Sequence, residues 1–330
     1  MKITRQFFCM LSAGLILFSG LSGCDWFKKS VPPNELFVTA EAARKDDEVV
    51  EAAEAYDQLI QDSPDSELVP EALYYSGISK YTLMLRAPGK QEFKNKKDGL
   101  SEMKKTQYAA WLKYLDKQDK AFTYLDAVDK YVYNGTEFSE LMERFPSNNL
   151  VDDSAFQLTR LEIQTKQMAN DLTIDAAVQL YADYAKSYPQ SPYREKAAEH
   201  LSQLASDQSV AASNLKEMAA AFRAFAQAAP NVKNLNDVAS ALAMTCIAAK
   251  DLPSAAALLG VPSIIGVGTV FTEQTSLNIR SGPGMQHRIV GKVDKGAQLL
   301  LLGKTDIWYQ VRLKDGAIGY ARGDYIQVAP

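Results

Sequence analysis

The chain of 330 residues holds two histidines, His200 and His287, and three cysteines, Cys9, Cys24 and Cys246. A zinc site needs three or four such ligands converging, and these five are scattered with no carboxylate cluster at ligand spacing. No Gly-x-Ser-x-Gly elbow, no Cys–His arrangement and no phosphate-cradling glycine loop appears. The acidic pairs Asp46-Asp47 and Asp152-Asp153 could in principle act on a glycosidic bond. Each pair, however, lies near an expected helix start, where carboxylates complement the helix dipole. Cys246, in "ALAMTCIAAK", reads as a small buried hydrophobe. The expectation is a non-enzyme without cofactor or metal, in which one thiol, Cys24 of "LSGCDWF", carries the chemistry.

Cys24 follows Lys2 and Arg5, an apolar run from Phe7 to Phe18, and the small residues Ser19, Gly20, Ser22 and Gly23, with no acid before Asp25. A charged start, an apolar middle of about 7–15 residues and a small-residue end form the layout of an export signal. The run is too short to span a bilayer, which takes roughly 20 residues. Leu21-Ser22-Gly23-Cys24 resembles the lipobox of bacterial lipoproteins. The resemblance implies that residues 1–23 are a signal peptide, that the Cys24 thiol is lipidated, and that the new amino terminus is usually acylated with a palmitate-type chain. One buried chain holds marginally and two or three hold firmly, at ~0.8 kcal/mol per CH₂. The location it implies is the bacterial cell envelope, anchored to a membrane and facing the periplasm, with residues 24–34 as a tether. Asp25 resembles an inner-membrane retention signal of enteric-type lipoproteins, and the choice between inner and outer membrane stays open.

Residues 1–23 hold two of the 36 basic residues and none of the 40 acidic ones, so their removal leaves 307 residues with a net charge of −6. A mildly acidic chain without a basic stripe is a poor candidate for nucleic acid. With Cys9 lost and Cys24 modified, Cys246 has no disulfide partner, so the remainder must be stabilised by its core, for which it is long enough.

The elements that must carry this chain are helical over residues 35–260. Four segments end alike: "AYDQLIQDSP", "EFSELMERFP", "LYADYAKSYP" and "AFRAFAQAAP". Each places an aromatic residue eight positions before a proline: Tyr56, Phe138, Tyr181 and Phe222 before Pro64, Pro146, Pro189 and Pro230. A bulky residue, Leu59, Leu141, Tyr184 or Phe225, follows three later on the same helix face, and the proline ends the helix. Eight or nine residues beyond it a small residue recurs, Ala72, Ala155, Ala197 and Ala239, which allows close approach of the next helix. The last three prolines are 43 and 41 residues apart and the first gap is 82. The pattern resembles tetratricopeptide repeats, though its period exceeds the usual 34 or so and the Trp and Leu-Gly of that family's first helix are missing. The resemblance implies an α-solenoid of helical hairpins. The doubled gap, about residues 86–135, is expected to hold a further or elongated helical hairpin, with Tyr108, Trp111, Leu112 and Leu115 on one face and Phe122, Leu125 and Val128 on another. Lys90, Lys94, Lys96 and Lys97 at its start read as a solvated loop or as a contact for an acidic partner or lipid headgroups.

The helical signal stops near Leu259, and residues 261–267 read as a linker. Over residues 268–330, short strand candidates alternate with glycine turns. "WYQVRL" places Tyr309, Val311 and Leu313 on one face and Trp308, Gln310 and Arg312 on the other, and Asp315-Gly316 reads as a type I′ hairpin turn. This stretch resembles the bacterial SH3 (SH3b) family through Leu277-Asn278-Ile279-Arg280-Ser281-Gly282-Pro283, Gly291, Lys295-Gly296, Trp308-Tyr309-Gln310-Val311, Gly316, Gly319-Tyr320 and Asp324-Tyr325-Ile326. Tyr320 stands where Trp is common. The resemblance implies a small antiparallel barrel that serves as a targeting or binding module, in several members for peptidoglycan peptides.

The fold class expected is therefore multidomain α + β: helical hairpin repeats followed by an SH3-like barrel. A candidate ligand groove would use Arg280, Trp308, Tyr309, Tyr320 and Tyr325, because aromatic side chains offer rigid contact area with a polar tip. Trp308 is the best contact among them, since it points away from the Tyr309-Val311-Leu313 set. Alternatively Tyr309 and Tyr325 are core and Arg280 fixes its own loop. The expected partners are an envelope protein gripped by the repeats, peptidoglycan peptides held by the barrel, and the membrane through the lipid. Regulation of a wall hydrolase is the rival role.

Overall fold

The computed structural model describes residues 31–207, 210–313 and 315–328. The expected signal peptide, the lipidated Cys24, Asp25 and most of the tether lie outside the described residues. The first helices are α1 (Pro33–Lys45), α2 (Val49–Asp62) and α3 (Val69–Arg86). The segment after them holds α4 (Lys90–Lys96), a 3₁₀ turn (Lys97–Gly99), α5 (Glu102–Lys117), β1 (Phe122–Leu125) and β2 (Lys130–Tyr133). Helices resume with α6 (Thr136–Arg144), α7 (Val151–Met168), α8 (Ile174–Ser187), α9 (Tyr193–Ser206), α10 (Leu215–Ala228), α11 (Leu235–Ala248) and α12 (Leu252–Leu259).

Four hairpins, α2–α3, α6–α7, α8–α9 and α10–α11, turn at the same kind of corner. The residue before the proline, namely Ser63, Phe145, Tyr188 or Ala229, has φ/ψ of −140/60, −129/55, −125/66 or −129/53. A proline ring clashes with an α-helical predecessor and drives it toward extended backbone, so the helix stops there. The amide of that residue still donates to the carbonyl of Leu59, Leu141, Tyr184 or Phe225. Its carbonyl then accepts from the residue three on, Ser66, Asn148, Ser191 or Val232. That is a β-turn with proline in its favoured second position. Tyr56, Phe138, Tyr181 and Phe222, each six residues upstream of its helix end, are all buried, as are Ala72, Ala155, Ala197 and Ala239 on the return helices.

The hairpins build two apolar cores. Residues between Leu36 and Leu161 form the first, and those between Ala155 and Ile264, joined by Leu302, the second. Helix α7 serves both, giving Leu161 to the first and Phe156 and Ile163 to the second. Among the described residues no helix is long and apolar enough to cross a membrane.

The segment 86–135 departs from the expected helical hairpin. Its first half is helical, with Trp111, Leu112 and Leu115 of α5 buried. Its second half is a β-hairpin, in which Phe122 pairs with Tyr133 and Tyr124 with Tyr131. Phe122, Leu125 and Val128 therefore share no helix face. Aromatic and β-branched cross-strand pairs favour the sheet, and Asp129 takes positive φ (53°) at the turn. The Asp129 carboxylate accepts the amides of Gln91 and Glu92 at 3.0 and 2.7 Å, which caps α4. Lys90 pairs with Asp116 at 2.7 Å and lies over the Tyr124 ring, and Lys96 pairs with Glu92. Two of the four lysines of the cationic run, Lys90 and Lys96, are thus engaged within the segment itself.

A buried ion cluster bridges this segment. Lys80 of α3, 2 % exposed, lies 2.8 Å from Asp57 of α2 and also pairs with Glu137 of α6. Ser76 donates to Asp57 at 2.7 Å and Tyr133 of β2 donates to Glu137. One ammonium between two buried carboxylates compensates only one of them fully. Burial pushes Asp57 above its ordinary value, whereas Lys80 draws Glu137 below its own against the desolvation, and the two carboxylates raise Lys80.

Beyond Gly260 the chain forms β3 (Gly266–Val270), β4 (Ser276–Arg280), β5 (Ile289–Asp294), β6 (Gln298–Thr305), β7 (Trp308–Arg312), β8 (Ile318–Arg322), a 3₁₀ turn (Gly323–Tyr325) and β9 (Ile326–Val328). The antiparallel order is β5-β4-β8-β7-β6-β3-β9, so β5 and β9 are the edges. Val270, Leu277, Ile279, Leu299, Leu301, Val311, Ala321 and Ile326 form the small barrel's core, with Tyr309 and Leu313 packed at its margin. The architecture is α-helical hairpins followed by an antiparallel barrel. The turn from β7 to β8 is not type I′: of Asp315 and Gly316 only Gly316 has positive φ (86°), because the loop closes between Leu313 and Ala317, one residue longer.

Lys80→Met should cost about 3–5 kcal/mol of stability in chemical denaturation, the range for removing one partner of a buried pair. Asp57→Asn should cost less than Glu137→Gln, and equal losses would refute the unequal sharing of charge. Glu137, with its value depressed on folding, contributes stability that is present above its unfolded value and lost as pH falls. Lys80, raised on folding, contributes below its own unfolded value and loses it in alkali. Stability measured against pH in Glu137→Gln should therefore show a smaller acid-limb loss than the parent chain.

Candidate functional site

The barrel is seated on the last helices through β6. Two residues of β6, Leu301 and Gly303, pair with Val311 and Gln310 of β7, which leaves Leu302 between them as a bulge. A bulged residue is free of the ladder and is re-aimed, and Leu302, 5 % exposed, joins the second helical core with Leu300 beside it. The stretch expected as a linker is packed too. Ile264 is 6 % exposed in the same core, the Ser263 hydroxyl donates to the Leu302 carbonyl at 3.1 Å, and the Ile265 amide donates to Leu301. The strand β3 begins at Gly266, inside that stretch.

This seating leaves a cleft of about 800 Å³ between α11 and the barrel. Ser240 and Met244 form its helical wall. Val290 to Asp294 of β5, Ala297 to Leu300 around the start of β6, Val267 of β3, and Arg312, Leu313 and Asp315 form the barrel side. The volume falls within the range of about 300–1,000 Å³ typical of ligand pockets. Its walls are largely apolar, and Met244 is 48 % exposed there.

One charge lies deep in it. Arg312, 9 % exposed, donates from Nη1 to Ser240 Oγ at a long 3.5 Å. Its Nη2 stands against Gly316, 3.4 Å from where a Cβ on that glycine would be. Burial lowers the guanidinium's pKa from its ordinary value, against the pull of Asp315. Among the described residues no carboxylate lies within ion-pair distance of it.

The five residues expected to form a groove are placed as follows. Arg280 and Tyr320 are register partners on β4 and β8, and Gln310 of β7 follows in the same row. Arg280 Nη1 donates to the carbonyls of Met285 and His287 at 2.9 and 2.7 Å, which staples its own loop. Trp308 does point away from the barrel core, but it is only 7 % exposed, set between Thr305 of β6 and Arg322 of β8. It is therefore not the freely presented contact expected of it. Tyr309, paired with Ala321, faces the core, with Lys304 over its ring at 5.3 Å. Tyr325, 40 % exposed, lies on the 3₁₀ turn. Arg280, Tyr320 and Trp308 share one sheet face, and none of the five lines the cleft.

Met244 and Arg312, the residues that set the cleft's character, were not singled out by sequence reasoning. The available signal was the alternation of "WYQVRL", which put Arg312 on the non-core face; its partner on the covering helix, Ser240, is 72 residues away. His200 accepts or donates a 2.6 Å bond with the Tyr181 hydroxyl and is lowered by burial. His287 packs its ring against Gly282. Burial pushes the Cys246 thiol up to about 11, which leaves it protonated and inert. Among the described residues no His, Cys, Asp and Glu group of three or more could hold a metal.

Residues 275–327 match the family model described as Bacterial SH3 domain. No curated protein matches the chain.

Because Trp308 is enclosed, Trp308→Ala should lower stability by about 3–5 kcal/mol, as deletion of a buried large aromatic does. Tyr320→Ala, at a half-buried position, should cost less than half as much. Urea unfolding followed by circular dichroism orders the two, and a Trp308→Ala protein as stable as its parent contradicts the enclosure.

Proposed function

We propose that this protein is a non-catalytic, lipid-anchored envelope lipoprotein. Its tetratricopeptide-like hairpins act as a scaffold for a protein partner, and its SH3-like barrel binds peptide, including the peptide parts of peptidoglycan. The observation that carries the reading is the seating of the barrel. An SH3-type module, of a family that commonly binds peptides or peptidoglycan, is held by Leu302 and Ile264 in the core of the last helices with an open cleft at the junction. A module fixed in this way presents one surface in a constant attitude to the helical scaffold. The lipobox-like Leu21-Ser22-Gly23-Cys24 supplies the tether to a membrane, and nothing in the chain's composition favours nucleic acid.

Two measurements test this. Cells fed radiolabelled palmitate should label the wild-type chain but not Cys24→Ser, and the variant should leave the membrane fraction. The full-length protein in mild detergent should co-sediment with purified sacculi, and recovery only in the supernatant refutes the wall-binding half. The anchor and the barrel are read out separately, so either part of the reading can fail alone.

A further inference from the structure

We infer that the cleft between α11 and the barrel is the ligand site, and that it takes an extended peptide. The peptide would add as a strand to the free edge of β5 and place a carboxylate on Arg312. The inference rests on the reading of the barrel as a peptide-binding module and adds to it the site, the mode and the anchoring charge.

Three observations converge on it. First, β5 pairs only with β4 and stands at the sheet's edge, and its consecutive residues 290–294 line the cleft. An edge strand presents unpaired N–H and C=O groups, and an extended chain satisfies them by strand addition, gaining affinity through the main chain. A partner strand as long as β5 spans about 20 Å, at ~3.4 Å per residue. Second, Arg312 is nine-tenths buried in the cleft with one long hydrogen bond. A guanidinium carries five N–H donors in a fork that fits a carboxylate two bonds at a time. Of the other charges lining the cleft, Lys292 has the same sign, while Asp294 and Asp315 are exposed and form no ion pair with Arg312. The unmet demand inside is therefore for an anion. Third, Met244 on α11 and Val290 on β5, 48 % and 38 % exposed, give the cleft two apolar surfaces for alternate side chains of an extended segment.

A main-chain strand partner together with one negative charge defines the ligand class as an acidic peptide, whether the carboxylate is an Asp or Glu side chain or a chain terminus. The occupant is an acidic segment of a protein partner, because the six residues of β5 and the two apolar surfaces beside it suit a continuous run of ordinary side chains; a wall stem peptide is an outcome of the test. A second copy of this chain pairing β5 to β5 is the competing occupant of the edge, since that strand carries its own acid, Asp294, and the test reads it out separately.

The probe is a displayed library of random octapeptides with free C-termini, selected on the full-length protein in detergent. Enriched sequences are then synthesised and titrated by fluorescence anisotropy. Binding should fall at least ten-fold when the carboxylate is replaced by its amide and again on Arg312→Met, with partial rescue by Arg312→Lys. Met244→Glu, at an exposed position that leaves the fold alone, should weaken binding ten-fold with an unchanged unfolding midpoint. No enrichment, binding indifferent to the carboxylate or to Arg312, or dimerisation abolished by a charge at Val290, overturns the inference. Competition distinguishes its failure from that of the wall-binding reading. A selected peptide that displaces the protein from sacculi identifies wall peptides as the occupant and overturns the assignment to a protein segment. A peptide that binds in the cleft but leaves sacculus retention intact assigns the cleft to protein tails.

Discussion

The arrangement of this molecule depends on the burial of Leu302 in a core that belongs to helices. Ordinary consecutive domains share a modest, polar interface and move relative to one another. Here a bulge turns one leucine out of the barrel's ladder and into the second helical core, with Ile264 and Leu300 beside it. Fully burying a leucine or isoleucine contributes about 1.5–3 kcal/mol each, so the contact outweighs the small loss of ladder pairing at the bulge. The same device is used earlier in the chain, where α7 gives residues to both helical cores. Adjacent units are joined by shared apolar residues, and the cleft at the last junction is a consequence of that joining.

Within the helical part, order comes from a local rule and one long-range clasp. The local rule is the proline corner. Four chemically different pre-proline residues, Ser63, Phe145, Tyr188 and Ala229, adopt nearly the same φ/ψ, so the ring that follows sets the geometry. The clasp is Lys80 with Asp57 and Glu137. It lets α3 pack on α6 although residues 87–135 intervene, and the chain resumes its hairpins as if the insertion were absent. A buried ion cluster is seldom better for stability than an apolar replacement. What it adds here is register: the ammonium must sit opposite both carboxylates, which fixes how α3 slides against α2 and α6.

What could be read in the sequence follows this division. The corners, the buried aromatics at Tyr56, Phe138, Tyr181 and Phe222, and the strand alternation around Val311 depend on neighbours a few residues away, and they were legible. The residues 122–133 were misread because Phe122, Leu125 and Val128 satisfy a helical spacing by coincidence. The pairing that decided for strands, Phe122 with Tyr133 and Tyr124 with Tyr131, is visible only once the chain has turned at Asp129. Trp308 and Arg312 show the same limit at the candidate site. Alternation correctly put both on the face away from the barrel core, and for Trp308 exposure was inferred from that placement. Flanking strands enclose the first and α11 covers the second, so both lost exposure through contacts that no local pattern encodes.

The two-walled cleft has a further consequence for how the barrel and the scaffold communicate. A ligand held between β5 and α11 touches both units, and its contacts exist only while Leu302 keeps them together. By linkage, whatever binds the seated form and not a detached one stabilises the seating by the free energy of that binding. A site on the row of Arg280, Tyr320 and Gln310 would have no such effect, since that row belongs to the barrel alone. The position of the ligand therefore decides whether the barrel is a passive bead on a scaffold or a part whose occupancy stiffens it. The uncompensated guanidinium of Arg312, which is placed by the barrel and hydrogen-bonded by the helix, belongs to the second arrangement.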